Sequence, residues 1–141
     1  MNNNIHFHLE GVSFRLRSIK AIKLWLNSAA KTEKNTIDTL NVIFCSDEYL
    51  LGINKKYLNH DYYTDIITFD NSDNQNVSGD LFISYDRIKE NANNFSIPIS
   101  NELHRVVIHG LLHLLGYNDK TTTQKQEMKS KEDFYLSLRS F

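Results

Sequence analysis

The sequence predicts an α+β fold, close to α/β in character, in which about five helices pack on a mixed sheet of about four strands. Three observations predict it. Segments with a period of two alternate along the chain with segments of helical period. A polar stretch from residue 70 to 78 separates two β-branched, aromatic runs in the manner of a hairpin, which a purely parallel sheet does not contain. The 141 residues include 40% hydrophobic ones without repeats, linkers or low-complexity blocks, which is material for one core rather than two. A single domain over residues 1 to 141 is expected.

Ile5, Phe7 and Leu9 alternate with Asn4, His6 and His8, the pattern of a half-buried strand whose other face carries two solvent-facing histidines. Between Ser18 and Ala30, Ile19, Ile22, Leu24 and Leu26 form a helical stripe beside Trp25. Leu40, Val42 and Phe44 alternate with Asn41 and Ile43, so a second strand ends near Cys45. Ser46 and Asp47 then supply N-cap chemistry for a helix carrying Tyr49, Leu50, Ile53 and Tyr57. The runs Ile66 to Phe69 and Leu81 to Ser84 are the hairpin strands. Asp86 to Phe95 forms a further helix stopped by Pro98, and Ser100 opens the next with Glu102 in its first turn.

Composition narrows the function classes. A net charge of -1 excludes a strongly cationic coat, so any contact with nucleic acid must come from a local patch. Cys45 is the only cysteine, which excludes an intramolecular disulfide and a cysteine-based zinc finger and fits a reducing, cytoplasmic setting. The first ten residues lack a cationic start and an apolar run, and nowhere do about 18 apolar residues follow one another, so neither export nor membrane insertion is expected.

The chemistry concentrates between residues 100 and 119. Leu103, Val107, Leu111 and Leu114 recur at helical spacing and must face the core. His109 and His113 are four apart, about 40° around the axis, so both imidazoles project from one face a turn apart. Gly116 ends the helix, because glycine enters the left-handed conformation without a Cβ penalty, and the returning chain brings Asp119 within reach. The pattern His109-x3-His113-x2-Gly116-x2-Asp119 offers two nitrogens and a carboxylate and leaves one tetrahedral position open, which is the stoichiometry of catalytic rather than structural zinc. In HExxH metalloproteases a glutamate follows the first histidine as general base, whereas Gly110 stands there in this chain. The spacing still resembles that of metzincins, which makes a metal-dependent peptidase the alternative. Two histidines and a carboxylate also describe non-haem iron oxygenases, but those present the triad from a β-barrel that this helix-rich chain does not suggest.

The stretch His109-Gly110-Leu111-Leu112-His113-Leu114-Leu115-Gly116-Tyr117 resembles the signature HGxLHLxGYDH of the YbeY-type rRNA maturation factors, metal-dependent single-strand endoribonucleases of bacteria. Asn54 with Tyr57, Thr64 to Phe69, and Gly79-Asp80-Leu81 to Ser84 are similar to that family's LN..fR, TDVLSF and GDI.IS segments. Glu127, Met128 and Glu132 resemble its closing helix, the fifth here, so residues 40 to 135 are covered. Two positions depart. Asp119 stands in place of the third metal-binding histidine; a carboxylate is a competent ligand, but its charge weakens the ion as a Lewis acid and favours a harder metal. Leu58 stands in place of an arginine serving substrate or catalysis, and leucine cannot bind phosphate, so Lys55, Lys56 and Arg105 become the candidate substrate-binding residues.

The resemblance implies an endoribonuclease cutting single-stranded RNA in rRNA maturation, at the 3′ end of 16S rRNA, and in ribosome biogenesis. It implies one divalent ion, zinc first, on His109, His113 and Asp119 at the C-terminal end of the central helix. Expected partners are single-stranded RNA, rRNA and ribosomal particles, with no membrane and no DNA. Water on the ion is the reactive species and no protein base is assigned, Asp65 and Asp80 being read as loop caps. Tyr57, Tyr62, Tyr63 and Tyr117 are available for stacking on bases. A non-catalytic ribosome assembly factor with a structural metal is the remaining alternative.

Overall fold

A computed structural model describes residues 4 to 141. Among them run β1 (Ile5–Glu10), α1 (Ile19–Thr32), β2 (Thr36–Cys45), α2 (Asp47–Leu58), β3 (Ile66–Asp70), β4 (Asn76–Ser84), α3 (Tyr85–Phe95), α4 (Ile99–Leu114) and α5 (Thr122–Ser137). The strands form one mixed sheet in the order β1-β2-β4-β3, with β1, β2 and β4 parallel and β3 antiparallel to β4. The α+β class with its hairpin is therefore as expected.

Three strand and helix starts differ from the sequence reading, among them β4, which opens at Asn76 inside the stretch read as the hairpin loop because Asn76 to Gly79 pair with β2. β2 starts at Thr36, because Thr36 and Ile37 pair with Asn76 and Val77 of β4; the stretch from Thr36 to Thr39 is mostly polar and exposed and owes its strand geometry to that pairing. α4 starts at Ile99 with Pro98 as N-cap, since the proline φ of -60° already suits the helix and no side-chain cap is made. At α2 the expected cap is present, with the Ser46 hydroxyl accepting from the Tyr49 amide at 3.1 Å.

Alternate residues send the sheet's side chains to two faces. Leu40, Val42, Phe44, Leu81 and Ile83 join the main core beneath α1 and α4, while Ile67, Phe69 and Phe82 point the other way into a smaller cluster closed by Leu50 and Ile53 of α2. α4 is the most buried helix: Val107, Ile108, Leu111 and Leu112 have no exposed surface, and each contributes about 1.5–3 kcal/mol of hydrophobic stabilisation. It lies so close to the sheet that a Cβ at Gly110 would sit 2.8 Å from the Cδ1 atoms of both Ile66 and Leu81. Gly79 is held more strictly, because a Cβ there would lie 2.5 Å from the Phe69 carbonyl oxygen, a backbone atom, across the hairpin.

Polar ties fix the ends of these helices. The Trp25 indole donates to the Tyr135 carbonyl at 2.8 Å, joining α1 to α5. Glu33, just beyond α1, accepts from the Tyr117 and Tyr135 hydroxyls and from Lys131. Partial burial works against its charge, yet these three donors hold its carboxyl below the ordinary value. The turn after α4 is thereby anchored on two other helices.

Candidate metal centre

The end of α4 builds the site. The Gly116 amide donates to the His113 carbonyl and the Tyr117 amide to the Leu112 carbonyl, with Gly116 at φ +104°, which is a Schellman closure. The closure leaves the Tyr117 carbonyl 3.0 Å from His113 Nδ1, so that nitrogen donates its proton there and Nε2 is left bare. His109 is oriented in the same sense by a different partner: its Nδ1 donates to Glu132 Oε2 at 2.6 Å. The two Nε2 atoms then face each other at 3.0 Å, and Asp119 Oδ2 lies 3.3 Å from each.

These separations test the fit to an ion. Zinc bonds of about 2.0–2.1 Å in tetrahedral geometry place ligand atoms about 3.3 Å apart, and the three donors present two imidazoles and a carboxylate at that scale. His109, His113 and Asp119 are the one group of three metal-binding types found this close among the described residues. The side chains keep 21%, 25% and 38% of their surface open, so one side of the triad faces solvent.

Outside the triad stands a carboxylate-rich wall. Glu132 is buried and bridges the site to Arg105, whose Nη1 donates to Glu132 Oε1 at 3.0 Å and to Asp133 Oδ1 at 3.1 Å. Burial disfavours the His109 imidazolium, but the hydrogen bond and charge of Glu132, with Asp119 and Asp65 behind it, outweigh burial and raise its pKa. Burial pushes the Asp65 carboxyl up, partly offset by His109. Glu102 is 4% exposed with Oε1 lacking a hydrogen-bond partner among the described residues; burial raises its carboxyl while Arg105, 4.0 Å away, pulls it down.

Two grooves open on the triad, and His109 and Asp119 line both. One, of about 610 Å³, runs along α5 past Arg105, Lys125, Lys129 and the exposed ring of Phe95. The other, of about 470 Å³, runs toward the end of α2 past Asn54, Leu58, His60, Tyr62 and Asp65.

The expected residues fall unevenly around these grooves. Arg105 reaches the α5 groove, but carboxylates engage its guanidinium. Lys55 and Lys56 lie outside both grooves, Lys55 pairing with Asp61 and Lys56 lying over the Tyr57 ring. Asp80 is not a loop cap: it lies within β4, and its carboxylate accepts from Asn41 across to β2 at 3.0 Å. Asp65, just before β3, does face the site. Tyr62 lines the α2 groove, whereas the hydroxyls of Tyr63 and Tyr117 are tied to Glu48 and Glu33. The tether of Glu132 to His109 was missed, although an acid one turn from Met128 on an otherwise apolar helix face was its signal. His60 was missed as well, a loop residue without periodic context.

Comparison with known proteins gives a consistent result. A family model described as Endoribonuclease YbeY matches residues 4–139. A protein of Cytophaga hutchinsonii named Endoribonuclease YbeY is 56% identical over 138 residues, covering 97% of this chain and 96% of that protein. One of the same name from Karelsulcia muelleri is 48% identical over 132 residues, covering 94% and 93%. The solution structure of a Thermotoga maritima protein is similar with a TM-score of 0.67 at 29% identity, covering 94% of this chain and 87% of that one.

Proposed function

The chain belongs to the YbeY endoribonuclease family, and from that premise we propose that it cleaves single-stranded RNA with one divalent metal ion, zinc first, in the maturation of rRNA and at the 3′ end of 16S rRNA. Its setting is the cytoplasm and its partners are rRNA and ribosomal particles; among the described residues no helix is long and apolar enough to cross a membrane. The observation that carries this reading is the convergence of His109 Nε2, His113 Nε2 and Asp119 Oδ2 at the meeting of two grooves.

When bound, such an ion supplies a Lewis acid for the phosphodiester and lowers the pKa of water toward about 7. The chain's own residues do the rest. His113 and His109 are held in the tautomer that leaves Nε2 unprotonated, by the Tyr117 carbonyl and by Glu132. Asp119 adds the third ligand and one negative charge. Asp65 faces the site from the opposite wall. The peptidase alternative lacks its base: the position after His109, where HExxH enzymes carry a glutamate, is Gly110, packed so closely under Ile66 and Leu81 that any side chain there must displace their terminal methyls.

Metal analysis of the purified protein, paired with cleavage of a single-stranded RNA by wild type and by His109→Ala, tests the proposal. The wild type should hold about one equivalent of divalent metal and cut the RNA, and the variant should lose both. Equal cleavage by the variant, or none by the metal-loaded wild type, overturns it. Cleaved termini bearing a 2′,3′-cyclic phosphate would identify the 2′-hydroxyl as nucleophile.

A further inference from the structure

The two grooves that meet at the triad differ in formal charge. The α2 groove is lined by no lysine or arginine; its charged wall is Asp65, Asp70 and Asp119, and Leu58 adds an apolar patch. A polyanionic backbone laid there meets like charge. The α5 groove sets Arg105, Lys125 and Lys129 against Glu102, Asp119 and Glu132, so its formal charges cancel where those of the α2 groove do not, and its two lysines stand outside the Arg105–Glu132 pairing. Lys125 has no ion-pair partner among the described residues, and Lys129 makes only an exposed contact of 3.4 Å with Asp133, the kind that contributes little. Four residues apart on one helix, Lys125 and Lys129 have backbone positions about 6 Å apart along the axis and share a face lining the groove, so their amines can meet successive phosphates. Arg105, the third cation of this groove, is already occupied by Glu132 and Asp133.

What the α2 groove offers instead is a π-surface. His60 and Tyr62 stack with ring centroids 5.1 Å apart and an interplanar angle of 21°, and the Tyr62 hydroxyl lies 2.9 Å from His60 Nδ1. The buried Asn54 side chain donates to the Tyr62 carbonyl at 2.9 Å, which holds the pair in place from behind. Tyr62 remains 56% exposed, and sequence-tolerant stacking on such a ring suits a base that carries no charge.

We propose that a single RNA strand crosses the triad in a set orientation, its backbone held by Lys125 and Lys129 in the α5 groove and a base stacked on the His60–Tyr62 pair in the α2 groove. The proposal rests on the endoribonuclease reading and adds to it which wall takes phosphate and which takes base.

The test is binding of a short 2′-O-methyl oligouridine to the metal-loaded protein, followed by fluorescence anisotropy across a range of salt, with cleavage of the unmodified oligouridine in parallel. Lys125→Ala/Lys129→Ala should flatten the plot of log K against log salt by about 1.4, since each phosphate contact on a single strand contributes about 0.7. Tyr62→Ala should weaken binding about tenfold and leave the slope as it was. An unchanged slope in the double lysine variant, or a slope lost in Lys55→Ala/Lys56→Ala instead, overturns the assignment while RNA cleavage by the wild type keeps the enzymatic reading. A metal-loaded wild type that neither binds nor cuts the RNA removes the enzymatic reading itself, and this inference with it.

Discussion

Glu132 Oε2 stands 2.6 Å from His109 Nδ1, and its other oxygen takes the Arg105 guanidinium at 3.0 Å, so one carboxylate on α5 aims an imidazole on α4 while an arginine holds that carboxylate still. A carboxylate behind a ligating histidine fixes both its tautomer and its direction. Glu132→Gln keeps the shape but lets the amide present its NH2 to Nδ1. Metal affinity should fall about 10- to 100-fold with the fold intact. A chelator competition measures it, and affinity equal to wild type would reduce Glu132 to a packing residue.

Under the proposed reading, a carboxylate beside two imidazoles bears on which ion the site takes. Carboxylates suit harder ions and imidazole suits zinc, so Asp119→His should raise the preference for zinc over manganese. Competition between the two metals on wild type and variant reads this directly. A preference that does not move would mean that position 119 is not a ligand.

Gly110 is dictated by packing and not by chemistry. A Cβ there would press on Ile66 and Leu81 at 2.8 Å, and such overpacking costs about 1–3 kcal/mol, against a gain of about 1 kcal/mol from alanine's better helix propensity. Gly110→Ala should therefore lower the urea midpoint, and Gly110→Glu should lower it further without producing peptide hydrolysis. A higher midpoint for the alanine variant would show that the interface has slack.

His104 gives the protein an acid-sensitive joint remote from the triad. It is buried between Trp25 and Phe141, and its Nδ1 accepts from Arg139 at 2.8 Å. Burial first, and the Arg139 charge second, lower its pKa from 6.5 to about 4. The unfolded chain thus binds a proton between those values that the native state refuses, so stability is complete above about pH 6.5 and declines as pH falls toward 4, by up to about 3 kcal/mol. His104→Gln preserves an acceptor for Arg139 and should flatten the profile. Urea unfolding at several pH values decides it: an equal decline in wild type and variant assigns the acid sensitivity elsewhere.

The sequence by itself determined whatever is local. The spacing of His109 and His113 follows from 3.6 residues per turn, and the stop at Gly116 from backbone sterics, so the shared face of the two histidines and the return toward Asp119 were legible without a fold. The strand and helix periods likewise placed β1 to α4, apart from the starts of β2 and β4, whose polar residues are strands because each lies beside the other, while α5 was legible only through the family resemblance. Only the tertiary structure decided the surroundings. Glu132 meets His109 across 23 residues, and α5 carries no pattern announcing which histidine it will face. Arg105 looked free for phosphate until Glu132 and Asp133 were placed on the neighbouring helix. The division of charge between the two grooves is of the same kind. Periodicity reports which face of an element is buried, whereas the partner of a polar group is settled when separate elements pack, and that depends on contacts between residues far apart in the chain.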